Sequence, residues 1–285
     1  MTIDRSSWWW RQGRAALGIF ATLLLAGIIL EPLQSQAWDV TRANQPILKL
    51  KSLGDNLGQG TLLGVFGGFR NILADFAWLR GYSAWEVRDL PTTEAMLNLA
   101  TTLDPRVIMF WTDGAREIAY DIPAWSRHEN PQISDEEMQK VNVEQAHRGL
   151  EFLDRGLEFL PNNYSLLLNK AEIYDNRLKD KAGAAEEYRL AAETTTSFYF
   201  PMRMYIRYIY VLGHKQEAYD YLRKKYLTLP DNVPDAQKGV MWDMIQIMEQ
   251  DMKIPEPNRA HFPKPANYSR DPDFDALPGV DLGNI

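Results

Sequence analysis

The residues able to act as ligands or general bases begin with His128, His147, His214 and His261. They are scattered along the chain, none has a partner at metal-ligand spacing, and H-E-x-x-H is absent. Gly64-x-x-Gly67-Gly68 has neither the lysine nor the preceding strand of a phosphate loop. Asp271-x-Asp273-x-Asp275 opens like a calcium loop, but Ala276 and Leu282 stand where glycine and glutamate are needed. With no cysteine there is no disulfide, thiolate metal site, thiol nucleophile or lipidated N-terminal Cys. Catalytic residues, a metal and a cofactor are therefore all expected to be lacking, and the chain is not expected to be an enzyme. The binding candidates are cations and aromatics. Arg203 and Arg207 are i,i+4 neighbours that point one way on a helix, and Tyr210 is close to the same face.

The elements that would position these side chains repeat. Gly149-Leu-Glu-Phe-Leu153-Asp-Arg-Gly156, Ala184-Ala-Glu-Glu-Tyr188-Arg-Leu-Ala191 and Ala218-Tyr-Asp-Tyr-Leu222-Arg-Lys-Lys225 share a small residue followed four later by a large apolar one. In the first two, a second small residue follows three later, on the same helix face. Leu160-Pro161 and Leu229-Pro230 close the first and last. Gly149 and Ala218 lie two periods of about 34 residues apart, plus one inserted residue. The preceding helices agree. Leu167, Ala171 and Tyr174 share a face, with Ala171 where a close crossing needs a small side chain. Thr93, Leu97, Ala100 and Pro105 keep similar offsets, and Trp111, Gly114, Ala115 and Ile118 follow them.

Over about residues 75–230 this pattern resembles the tetratricopeptide-repeat superfamily. The segment Gly64–Gly81, with Phe69-Arg70, Leu73-Ala-Asp75 and Trp78-Leu79-Arg80, resembles one found in membrane-anchored bacterial proteins of that type, whose activity is unassigned. The resemblance implies an all-α, right-handed solenoid of antiparallel helix hairpins. It also places Arg116, Asn169, Arg203 and Arg207 on first helices, at or near positions that line a concave groove. Arginine and asparagine there suit a carboxylate or an acidic peptide. The bland alternative is a solvated polar face, with Glu172 and Asp175 neutralising the arginines. An unrelated bundle of helix hairpins would share the amphipathic helices and proline stops. In the third unit Ile206 and Lys225 stand at positions where small residues are expected.

Ala15–Leu30 is an uncharged apolar run, with Arg11 and Arg14 before it, Glu31-Pro32 after it, and Trp8-Trp9-Trp10 at its leading edge. Residues 15–33 are expected to be a single-pass signal anchor in a bacterial inner membrane, with residues 1–14 cytoplasmic and the body in the periplasm. The alternative is a cleaved signal peptide, with Ser35-Gln36-Ala37 as the small-x-small site and a soluble periplasmic product. Residues 34–60 read as a linker, 61–254 as the helical domain, and 255–285, rich in proline, as an extended tail.

Within the domain, Arg70 and Asp75 are expected to pair at the edge of a capping helix whose stripe is Phe69, Ile72, Leu73, Phe76 and Leu79. That helix could instead lie against a bilayer or a membrane protein. Pro105 to Pro161 spans about 22 residues more than one period of about 34. An insertion is placed near 119–134, with Asp121–Ile133 a loop carrying Trp125. Ser134 to Glu137 reads as a capping box opening a helix to about residue 160. Pro234 is expected to start a C-terminal helix with an apolar stripe of Val240, Met241, Met244, Ile245, Met248 and Met252.

The net charge is −7. An acidic body does not suit nucleic acid, which needs a basic face. The function these readings favour is a scaffold or adaptor binding a protein or peptide partner, another envelope protein. The first alternative is a glycan-binding envelope protein using Trp78, Trp85 or Trp125, since Trp111 fits a core position. The second is an enzyme of unknown type.

Overall fold

The computed structural model describes residues 69–194, 199–231, 233–265 and 268. The expected anchor, linker and calcium-like stretch lie outside these residues. Among the described residues all regular structure is helical, and no helix is long and apolar enough to cross a membrane. The chain divides into two compact units, one holding residues 1–86 and 91–104, the other 87–90 and 105–285.

In the first unit, α1 (Arg70–Glu86) pairs with α2 (Leu90–Leu103). The buried face of α1 is its small one: Ala74, Ala77, Gly81 and Ala84. A Cβ at Gly81 would lie 3.2 Å from Met96 Cβ, so the two backbones run close together. The expected stripe is therefore reversed. Ile72, Phe76 and Leu79 are 51%, 65% and 59% exposed, because the small-residue face allows the tighter approach. The expected Arg70–Asp75 pair is absent too. Arg70 donates Nε to the Leu103 carbonyl and a terminal nitrogen to the Thr102 carbonyl, both at 3.1 Å, while Asp75 is exposed. These are carbonyls that the end of a helix leaves without intrahelical partners.

The second unit opens with α3 (Ile108–Arg116), which runs through a π-turn (Glu117–Asp121) into α4 (Ile122–Glu129). The expected loop is thus a helix over most of its length. Pro123 lies just beyond the π-turn within this continuous helix, and both Ile122 and Pro123 are buried. Next comes α5 (Asp135–Phe159), opened by the expected capping box: Ser134 Oγ accepts from the Glu137 N–H at 3.2 Å and Glu137 Oε2 accepts from the Ser134 N–H at 3.3 Å. Gly149 and Gly156 let α5 approach its neighbours. A Cβ at Gly149 would meet Ala119 Cβ at 3.0 Å, and one at Gly156 would meet Leu166 Cδ2 at 2.7 Å. Trp111 is core, stacked on Phe159 at 6.2 Å, with its indole N–H donated to the Pro105 carbonyl at 2.9 Å.

Then follow α6 (Tyr164–Ile173) with a second π-turn (Tyr174–Leu178), α7 (Lys181–Thr194), α8 (Phe200–Val211) and α9 (Lys215–Tyr226). Ala171, Ala184, Ala191 and Ala218 are fully buried, so small residues do occupy these helix crossings. Lys170 is caught in the packing, with Nζ 2.5 Å from Glu187 and 2.9 Å from Asp154. Pro234 starts a single 3-10 turn (Pro234–Ala236), not the helix; Gln237 at φ +44° breaks the path, and α10 runs Lys238–Asp251. Met241, Met244, Ile245 and Met248 on α10 are fully buried core. At its end Lys253 turns left-handed at φ +53°, and Ile254 N–H reaches back to the Glu249 carbonyl at 2.8 Å. This is a Schellman cap, and it turns the chain back on itself.

Candidate binding face

The two π-turns fall at the ends of α3 and α6, and they meet. A π-turn takes one residue more than an α-turn and swings side chains off the helical register. Tyr120, in the first, donates its hydroxyl to the Glu172 carbonyl at 3.2 Å and hydrogen-bonds the Asn176 side chain. Arg177, in the second, lies 5.1 Å over the Tyr120 ring and donates to Asn142. Across from them, Asp175 hydrogen-bonds the Tyr208 hydroxyl of α8, and the Tyr208 ring sits 5.8 Å from that of Tyr188.

Two carboxylates therefore stand among tyrosines. Glu172 acts on Tyr120, Tyr164 and Tyr188, and Asp175 acts on Tyr120, Tyr188 and Tyr208. Burial raises the affinity of Glu172 for a proton. The Tyr188 and Tyr208 hydroxyls are pushed up in turn, mainly by burial, so they stay neutral at physiological pH.

The residues expected to form a clamp are dispersed. Arg203 is buried and donates to the Asp235 carbonyl. Burial lowers its pKa against the pull of Asp235. Arg207 is half-buried, is engaged within the chain, and acts on Arg203 and Tyr208. Tyr210 is core, not groove: its hydroxyl donates to Asp251 at 2.5 Å, and Lys215 holds the same oxygen at 2.6 Å. Asn169 donates back to the Ser165 carbonyl of its own helix at 2.9 Å. Arg116 is exposed beside Glu117. Trp125 is half-buried on α4 and not in a loop. The acid–tyrosine cluster that is assembled instead depends on two π-turns. No sequence pattern announced these, although Glu172 and Asp175 stood out as neighbours of the arginines.

Glu117, at the start of the first π-turn, is 7% exposed and its Oε2 has no hydrogen-bond partner. Burial first, then Asp121 and Asp113, push its carboxyl up to about 7, with Arg116 opposing. The unfolded chain ionises this group near 4.5. The folded state thus loses stability as pH rises from 4.5 through 7, and the loss is complete above that range. Glu117→Gln should remove it. The variant should be more stable than wild type at pH 8 by roughly 1–3 kcal/mol, and the difference should fade toward pH 4.5. Urea denaturation at both pH values checks this.

No metal-binding group of His, Asp and Glu occurs among the described residues. No known family matches the chain, and no curated protein or solved structure matches it either.

Proposed function

We propose that the chain is a membrane-anchored, tetratricopeptide-like adaptor that holds a protein or peptide partner of a bacterial envelope assembly, with its body in the periplasm. Successive helix hairpins crossing at buried alanines fit such a solenoid. The apolar run 15–30 with its flanking arginines fits an anchor. The exposed row Ile72, Phe76, Leu79 and Tyr82 on α1 suits a helix lying at a bilayer or against a membrane protein.

The observation that carries the reading is Glu172. It is a half-buried carboxylate near Tyr120, Tyr164 and Tyr188, beside the contact in which the Tyr120 hydroxyl meets its main-chain carbonyl, and burial raises its affinity for a proton. A partner's lysine, arginine or amine would pair with this carboxylate, and the tyrosine faces suit it as well. The preferred ligand is thus basic, opposite to the acidic peptide that the arginine pattern alone would select. A photoreactive residue at exposed Asn176 of the intact, membrane-embedded chain should cross-link a discrete partner. Glu172→Gln should reduce that product at least tenfold, and high salt should weaken it. An unchanged product in the variant would overturn the reading.

A further inference from the structure

Beyond the Schellman cap, residues 254–265 do not leave the body but run back across α9 and α10. After a short 3-10 turn (Glu256–Asn258), the helices read this strap largely through its main chain. Glu249 accepts the Ala260 N–H at 2.7 Å. Trp242 donates its indole N–H to the Phe262 carbonyl at 3.0 Å, and Tyr226 donates its hydroxyl to the Pro263 carbonyl at 3.2 Å. The same Glu249 oxygen is fixed by the Tyr219 hydroxyl at 2.6 Å. Phe262 and Lys264 of the strap, and Tyr268 beyond it, dock beside these bonds, Lys264 Nζ lying 5.9 Å over the Trp242 ring. Phe262 stacks on Tyr226 at 4.9 Å and 17°. Tyr268 donates to Asp243 at 2.6 Å and lies so close to Gly239 that any Cβ there would be 2.1 Å from its ring. His261, Pro263 and Lys264 are exposed.

Indole and phenol donors aimed at carbonyls flanking prolines, with an aromatic platform alongside, are how proline-rich peptides are recognised. A strap needed only to cover apolar surface would not require its carbonyls to be read one by one. We propose that the α9–α10 surface is a peptide-recognition groove, occupied in cis by the chain's own Phe262-Pro-Lys-Pro265 segment and able to take an extended peptide of the same aromatic–Pro–basic–Pro chemistry in trans. The strap acts as a tethered competitor. Its effective concentration, in the millimolar range for a short tether, hides the groove until the strap lifts. The donors Trp242 and Tyr226 belong to rigid helices, so the groove survives its release. This surface is separate from the Glu172 face and does not depend on it.

The probe is a fluorescein-labelled synthetic peptide of residues 255–270, and the readout is anisotropy with the full-length chain in detergent. Phe262→Ala combined with Tyr268→Phe loosens the strap and leaves the groove untouched. This variant should bind the probe at least tenfold more tightly than wild type. Adding Trp242→Phe, which removes the indole donor together with part of the ring, should cost most of that gain, while Glu172→Gln should leave it unchanged. Equal binding by wild type and the loosened variant, with helical content intact, would overturn the proposal. So would a gain that Trp242→Phe does not reduce. If the loosened variant fails to fold, hydrogen exchange on wild type decides. The Ala260 amide should exchange far faster than α10 core amides such as Met244, and matching rates would show that the strap never lifts.

Discussion

Lys170→Met should cost the fold about 3–4 kcal/mol at pH 7. Lys170 holds Glu187 at 2.5 Å and Asp154 at 2.9 Å, and the side chains of Lys170 and Glu187 are only 12% and 9% exposed. Burial alone would depress the lysine, but its bonds to Asp154 and Glu187 carry it upward, so it stays charged. Glu187 is pushed up by burial despite Lys170, and its Oε2 is already unpartnered. Without the ammonium, the cheapest course for Glu187 is to take a proton. Protonating a group of ordinary pKa 4.5 at pH 7 costs about 3 kcal/mol. The folded variant then binds one proton more than the unfolded chain, so its deficit grows as pH rises above 4.5 and shrinks to about 1 kcal/mol near pH 5. Asp154 is 58% exposed and loses little. Lys170→Met with Glu187→Leu removes both charges and should return within about 1 kcal/mol of wild type. Urea denaturation followed by circular dichroism measures all three proteins. A single-variant loss below about 1 kcal/mol would mean that water reaches Glu187.

Gly156→Leu should be comparably damaging, at about 3 kcal/mol or more. Even the first added carbon would lie 2.7 Å from Leu166 Cδ2 and 2.9 Å from the Trp111 ring. The leucine can swing, but the indole is held between Phe152 at 5.0 Å and Phe159 at 6.2 Å and is tied to the Pro105 carbonyl. The gain from replacing a helical glycine, about 1 kcal/mol at most, does not offset this. The thermal midpoint should fall, and tryptophan emission should shift to the red as Trp111 loses its seat. A lower midpoint with unchanged emission would put the strain on Leu166 instead.

Features set by neighbours in sequence were legible. The capping box at Ser134 and Glu137, the extent of α5, the core placement of Trp111 and the buried alanines all follow from short-range spacing. Features set by distant partners were not. Arg203 and Tyr210 looked free because Asp235 and Asp251, which hold them, lie 32 and 41 residues away. The α1 stripe was misread because a face of Ala74, Ala77, Gly81 and Ala84 makes a weak hydrophobic signal yet permits a close crossing. The stretch Asp121–Ile133 reads as a loop in sequence because the pattern does not show that a π-turn carries α3 on into α4. The strap's prolines announced an extended chain, but not the tryptophan and tyrosine waiting for its carbonyls.

The π-turns make the candidate binding face sensitive to chain length. Tyr120 reaches the Glu172 carbonyl because one extra residue is wound into the turn before α4. Exchanging a side chain there changes one contact. Deleting a single residue would let the turn relax to α-helix, leaving the helices on either side in register but carrying Tyr120 off the bulge and away from its acceptor. Along Glu117–Asp121 and Tyr174–Leu178, the spacing between residues is therefore under tighter constraint than their identity. Lineages of this protein should vary there by replacement and not by gain or loss of residues.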